Sequence, residues 1–237
     1  MKELFIALLI TNLIAIVLIA VFIRRALLML PKYITDEDNY LTQIAKQGGL
    51  LFLGDSLIQL YDTNAFFSGK LTHNRGVGGN TTSQIIERLP TSVYPVCPEQ
   101  IILLAGTNDL NKQAEARTTF EGIAKVCALI KENLPNTDLY VISLLPVNAK
   151  VSKVSKAIVG KRRNSDIAEV NKHLSAFCTE QNIGFIDACP VLLDSQGNLN
   201  PQYSLDGLHI NFKGYKVLTE QILACLQKKN EHIDKNQ

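Results

Sequence analysis

"LFLGDSLIQL" occupies Leu51–Leu60. Apolar residues lead into Gly54, Asp55 and Ser56, and apolar residues then resume. The run Gly49–Leu53 reads as a buried strand. An acid and a hydroxyl at its end have two readings. They cap the helix that follows, or Ser56 stands at the strand end to react. The choice depends on what the rest of the chain brings to the same place.

Working outward, short apolar runs alternate with segments of helical spacing. Leu71–Arg75 is a weaker, more polar strand, placed by its position in the order. Gln100–Gly106 and Asp138–Leu145 are strong strands, and Ile183–Ala188 is a short one. Thr81–Leu89, Thr118–Asn133, Asn164–Gln181 and Asn211–Lys228 carry apolar residues at helical spacing. Asp36–Gln47 reads as a helix leading into the first strand. Continuous apolar strands separated by helices mean a parallel sheet covered on both faces. The expected fold is therefore α/β, a three-layer α/β/α sandwich on a five-stranded parallel, flavodoxin-like sheet. One transmembrane helix is expected to precede it.

Open parallel sheets bind ligands beyond the carboxyl ends of their strands. There the chain places Gly54–Ser56, then Gly76–Asn80, then Gly106–Asp109, and Leu205–His209 ahead of the last helix. A serine hydroxyl needs a base, and His209 is the histidine placed in such a loop. Its ring needs an acceptor that holds the tautomer, and Asp206 stands three residues earlier. The attacked carbonyl needs donors. The backbone amides of Ser56 and Gly79 and the side-chain amide of Asn108 can supply them. The order Ser, Asp, His is that of α/β hydrolases, but their nucleophile elbow is missing, because Ile58 stands where a glycine would be required. Bland readings stand beside these. Gly78 and Gly79 can serve a turn, and Asn108 and Asp109 an Asx turn. Thr81 and Thr82 read as a helix start. His73, His173 and His232 read as structural or surface residues.

"GDSL" (Gly54–Leu57), "NRGVGGN" (Asn74–Asn80), "GTND" (Gly106–Asp109) and "DGLH" (Asp206–His209) resemble, in order and spacing, the four blocks of the SGNH (GDSL) hydrolase superfamily. The resemblance implies Ser56 as nucleophile, Ser56, Gly79 and Asn108 as oxyanion-hole donors, and Asp206 and His209 completing the triad. It implies ester hydrolysis through an acyl-serine, with no cofactor and no metal. The blocks are similar to the acetylhydrolase-like and lysophospholipase-like branch, and "SLLPVN" (Ser143–Asn148) adds to that. Short-chain acyl esters, acetyl above all, come first as substrate, on a small molecule or a glycan. A lysophospholipid or fatty-acyl ester is the alternative. A membrane-tethered binding protein without activity is the alternative of another class. One departure is Ile210, where many members have proline.

Composition sets outer bounds. A formal net charge of +2 over 237 residues gives no reason to expect a nucleic-acid partner. The five cysteines, Cys97, Cys127, Cys178, Cys189 and Cys225, show neither disulfide-framework nor metal spacing and read as buried free thiols. Lys150–Arg163 holds six basic residues and no acid. It reads either as a solvated loop or as a contact for anionic lipid or substrate.

Leu4–Ile23 is a run of 20 residues without a charge. As a helix it spans about 30 Å, the thickness of a bilayer core. It is apolar nearly all round and lacks a small-x-small cleavage pattern before Arg24 and Arg25, so it reads as an uncleaved, single-pass anchor to the cell membrane. The flanking charges lean toward a cytoplasmic catalytic domain and leave its side open. The expected organisation is an anchor at 1–30, a linker and leading helix at 31–48, the esterase domain at 49–229 and a polar tail at 230–237. The sequence leaves the oligomeric state undefined.

Overall fold

The computed structural model describes residues 12, 15–19 and 40–234, with side chains up to residue 227 in the last stretch. The chain divides into two compact units, Met1–Ile44 and Ala45–Gln237. The second carries five parallel strands in the order β2-β1-β3-β4-β5. They are β1 (Leu50–Gly54), β2 (Thr72–Gly76), β3 (Gln100–Leu104), β4 (Asp138–Ile142) and β5 (Gly184–Ile186). The helices are α1 (Ser56–Gln59), α2 (Thr63–Phe66), α3 (Thr82–Ser92), α4 (Thr107–Asn111), α5 (Ala116–Asn133), α6 (Ser155–Val159), α7 (Asn164–Glu180) and α8 (Phe212–Asp234). This is the flavodoxin-like sheet that the alternating pattern implies.

β1 lies between β2 and β3, in register Leu50↔Thr72 and Leu50↔Gln100. All five of its residues are buried, which is why its sequence is apolar without alternation. Successive side chains still point to opposite faces. Leu51, Leu53, Ile101 and Leu103 pack with Ile85 and Leu89 of α3, Ile123 and Val126 of α5, and Val170 of α7. Leu50, Phe52, Ile102 and Leu104 pack with Tyr61 and with Tyr215, Leu218 and Ile222 of α8. β2 is the polar strand because it is an edge, with burial that alternates along it.

Several boundaries differ from the sequence reading. β4 stops at Ile142 and not at Leu145, because side chains there replace the sheet ladder. The Leu144 N–H donates to Asn171 Oδ1 at 2.7 Å, and the Val147 N–H to Asn164 Oδ1 at 2.9 Å. Helix α3 runs through Pro90 to Ser92. A proline inside a helix costs one backbone hydrogen bond, and here the helix end is held from outside, by Arg75 Nε donating to the Ser92 carbonyl at 3.1 Å. Helix α8 continues into the expected tail, as far as Asp234. Of the expected leading helix, residues 40–44 are helical, and residues 36–39 lie outside the described residues.

Most of Leu4–Ile23 also lies outside them. Residues 12 and 15–19 are helical, and Ile16, Val17, Leu18 and Ile19 are each more than half exposed. Among the described residues no helix is long and apolar enough to cross a membrane. The thiols also differ from expectation. Cys127 and Cys178 are buried, Cys189 and Cys225 are half-buried, and Cys97 is exposed. Cys97 follows a 3-10 turn at φ 45°, and this places it at a surface corner. Burial pushes the Cys178 and Cys189 thiols up to about 11, so they are poor nucleophiles at neutral pH.

Candidate active site

Four loops meet at the carboxyl end of the sheet. The first turns sharply from β1 into α1. Asp55 is fully buried and caps that helix, its Oδ1 accepting the Leu57 N–H at 2.9 Å. At the other end of α1, Asn74 Nδ2 of β2 donates to the carbonyls of Ile58 and Tyr61 at 2.8 and 2.9 Å. The Tyr215 hydroxyl donates to the Leu57 carbonyl at 2.7 Å. The capping reading of the motif therefore falls on Asp55 and leaves Ser56 out of it. Asp55 is the cap, and Ser56 is left half-buried with its side chain free of a capping role.

Ser56 Oγ lies 3.0 Å from His209 Nε2, and His209 Nδ1 lies 2.7 Å from Asp206 Oδ2. A carboxylate can only accept, so Nδ1 carries the proton and Nε2 is free to accept from Ser56. Burial pushes the Asp206 carboxyl up. The hydrogen bonds from the His209 ring and from the Leu208 and His209 amides, with the ring's charge, outweigh that and hold it below its ordinary value. The loop is built to present this pair. Asp206 Oδ1 accepts the amides of Leu208 and His209 at 2.9 and 2.8 Å. Buried Ser204 accepts the Gly207 N–H and donates to the His209 carbonyl, both at 2.8 Å. Gly207 has φ 84°, and a side-chain carbon there would run into the Asn148 carbonyl. Asn148 in turn donates its backbone N–H to the Gly207 carbonyl at 2.8 Å, so "SLLPVN" underpins the loop. Ile210 is buried and pairs with Ser204 in an antiparallel bridge.

The remaining two loops are bound to each other. Asn108 Nδ2 donates to the Asn80 carbonyl at 3.0 Å, and the Thr82 hydroxyl donates to Asp109 at 2.6 Å. A side-chain carbon on Gly78 would stand 3.9 Å from Ser56 Cβ, which places this loop against the serine. Gly79 has φ 78° with open space around it, so its backbone conformation, not crowding, favours glycine. Neither the Ser56 nor the Gly79 amide donates to another of the described residues. The structure therefore joins Ser56, His209 and Asp206 in one relay and holds Asn108 to the residue after Gly79. Thr81 and Thr82 start α3, with Gln84 Oε1 accepting the Thr81 N–H. His73 is buried against the Gly48 carbonyl, and His173 rests on Phe120 at the surface. The side chain of His232 lies outside those described.

Sequence reasoning missed the two arginines that knit these loops. Arg88 Nε donates to Asn80 Oδ1, and its Nη2 to the carbonyls of Gly54 and Arg75. Arg162 is 7% exposed, whereas Lys150, Lys153, Lys156, Lys161 and Arg163 of the same basic segment are exposed. The segment is thus not uniformly a solvated loop, and Arg162 is spent on the protein's own groups. Spacing carries no signal for either arginine. A cavity of about 740 Å³ borders Arg162, Arg117 and Asp166 but none of the five expected site residues. Among the described residues no three metal-ligating side chains cluster.

Comparison with known proteins matches this arrangement to one family. Residues 52–217 fit the model of the GDSL-like Lipase/Acylhydrolase family. The platelet-activating factor acetylhydrolase IB subunit alpha1 of Bos taurus is 27% identical over 186 residues, 76% of each chain. The N-acylneuraminate cytidylyltransferase of Escherichia coli is 28% identical over 183 residues, but the chain spans only 40% of its length. A candidate platelet activating factor from Streptococcus pneumonia superposes with a TM-score of 0.78 at 26% identity, over 86% of this chain and 95% of that one. A GDSL-like lipase from Bacteroides thetaiotaomicron has the same fold, with a TM-score of 0.70 at 24% identity over 84% and 97%. The family match begins in β1, ends in α8 and takes in all four loops, so the chain belongs to the GDSL-like lipase/acylhydrolase (SGNH) family and is a hydrolase.

Proposed function

We propose that the protein is a serine esterase in which Ser56 is the nucleophile, His209 the general base and acid, and Asp206 the group that orients the ring and stabilises the charge it gains from the Ser56 proton. The observation that carries this reading is the relay itself, 3.0 Å from Ser56 Oγ to Nε2 and 2.7 Å from Nδ1 to Asp206. Ser56 Oγ attacks the acyl carbon while its proton passes to Nε2. The oxyanion accepts hydrogen bonds from the Ser56 and Gly79 amides and from Asn108 Nδ2. His209 then returns the proton to the leaving alcohol, and water cleaves the acyl-serine by the same route.

The preferred substrate class is a short-chain acyl ester, acetyl above all. The similarity to an acetylhydrolase subunit supports this. The second reading is a fatty-acyl or lysophospholipid ester. Leu205, beside Asp206, is 79% exposed and favours an apolar chain at the mouth of the site. No observation favours the inactive binding protein. The exposed apolar residues at 16–19 support a single-pass anchor at Leu4–Ile23, with the flanking charges leaning toward a cytoplasmic active site. A p-nitrophenyl ester series from C2 to C16 tests the substrate. kcat/KM is expected to peak at C2–C4, and a peak at C8 or longer would replace the acetyl reading with the lipid one.

A further inference from the structure

Arg162 comes from the loop after α6, yet its guanidinium ends beneath the "GTND" loop. Nε donates to both the carbonyl and the hydroxyl of Thr107 at 2.9 Å. Nη1 donates to the carbonyls of Ile158 and Val159 at 3.2 and 3.0 Å. Nη2 donates to Asn108 Oδ1 at 2.7 Å. The fork spans α4 and α6, and its shortest bond is to the amide assigned above to the oxyanion. That amide is then held at both ends, because Asn108 Nδ2 also donates to the Asn80 carbonyl at 3.0 Å. An amide has two N–H bonds and one oxygen. With the oxygen on Arg162 and one N–H on Asn80, a single N–H remains for a ligand. The grip also fixes which way the amide faces, since a flipped Asn108 would set its NH2 against the donors of Arg162.

We infer that Arg162 is a positioning residue for catalysis, which locks the Asn108 amide so that its free N–H faces the developing oxyanion. The inference rests on the reading of Asn108 as an oxyanion donor. It differs from a role for charge at a distance, because it depends on the planar fork. An ammonium in the same place keeps the charge but cannot reach Thr107, Val159 and Asn108 together.

The test is a mutant cycle on p-nitrophenyl acetate with the full chain, using Arg162→Lys, Arg162→Gln, Asn108→Ala and the doubles, with thermal melts alongside. Asn108→Ala is expected to lower kcat by about 10²–10³ with little change in KM, as for removal of one oxyanion donor. Arg162→Lys and Arg162→Gln are both expected to lose kcat by about 10–10², with KM within threefold of wild type. In the Asn108→Ala background either change is expected to cost less than about twofold, since residues that act through one another are not additive. Wild-type kcat in Arg162→Lys would show that charge suffices and overturn the inference. So would full additivity with Asn108→Ala, which would leave the oxyanion assignment standing. An unchanged kcat in Asn108→Ala alone would remove that assignment and the inference with it. Should the Arg162 variants lack a cooperative melt, Thr107→Val replaces them, because it withdraws one acceptor and keeps the guanidinium. Its kcat is expected to fall about threefold to tenfold, again with no further loss in Asn108→Ala. Wild-type kcat in Thr107→Val would equally overturn the inference.

Discussion

Asp55 and Ser56 are neighbours in the chain with opposite environments. Asp55 has no exposed surface, while Ser56 opens to the site. Burial raises the Asp55 carboxyl from 3.8 to about 6, against the pull of the Leu57 amide and the charges of Arg162 and His209. The consequence for stability has a definite sign. Between those two values the folded chain still holds a proton that the unfolded chain has lost. Stability is therefore full below the ordinary carboxylate value and declines as pH rises through about 6. At about 1.4 kcal/mol per unit, the loss is on the order of 3 kcal/mol. Asp55→Asn keeps an oxygen for the Leu57 N–H and removes the charge. It is expected to melt several degrees above wild type at pH 8 and together with it at pH 4, by calorimetry at both values. The same difference at both pH values would show that Asp55 is not a buried group titrating in this window.

At the scale of elements, the site depends on how the Ser204–Ile210 loop is stiffened. Ser204 satisfies Gly207 and His209 backbone groups from a fully buried position. Ser204→Ala leaves two polar groups without that partner, at a cost of about 1–3 kcal/mol. It is also expected to lower kcat by about tenfold, because the ring loses its fixed distance to Ser56. Urea melts and initial rates check both, and an unchanged kcat would show that Asp206 alone holds the ring. None of this was legible at Ser204, whose role depends on a turn and not on a motif. The central strands were legible, because Leu50–Gly54 and residues 101–104 and 139–142 are buried and carry almost unbroken apolar runs, with a polar residue only at the start of β3 and β4. The relay was legible because Ser56 directly follows a strand, and Asp206 and His209 sit in the loop ahead of the last helix, at the same sheet end. What stayed hidden was long-range pairing. Arg88 reaches back to Gly54 and Asn80, and Arg162 reaches Thr107 and Asn108 from some 55 positions away. Asn164 and Asn171 end β4 from a helix. Polar side chains of this kind carry no period, so no pattern announces them.

For the whole molecule, the proposed anchor and the catalytic unit make separate demands. Cys97 is an exposed free thiol on the catalytic unit, and under the proposed anchoring it would report which side of the membrane that unit faces. A membrane-impermeant maleimide is expected to leave it unlabelled in intact cells and to label it once they are opened. Labelling of intact cells would reverse the orientation. The hydrolase assignment is independent of that side, since the four loops all belong to Ala45–Gln237. Its centre is the claim that Ser56 forms the covalent intermediate, assisted by a ring 3.0 Å away. The most direct measurement is inactivation by a serine-reactive phosphonate followed by peptide mapping, run on wild type and Ser56→Ala. The expected result is one adduct per chain, on Ser56, in step with loss of esterase activity, and neither adduct nor turnover in Ser56→Ala. An adduct on another residue in step with inactivation, or turnover that survives Ser56→Ala, would contradict the account.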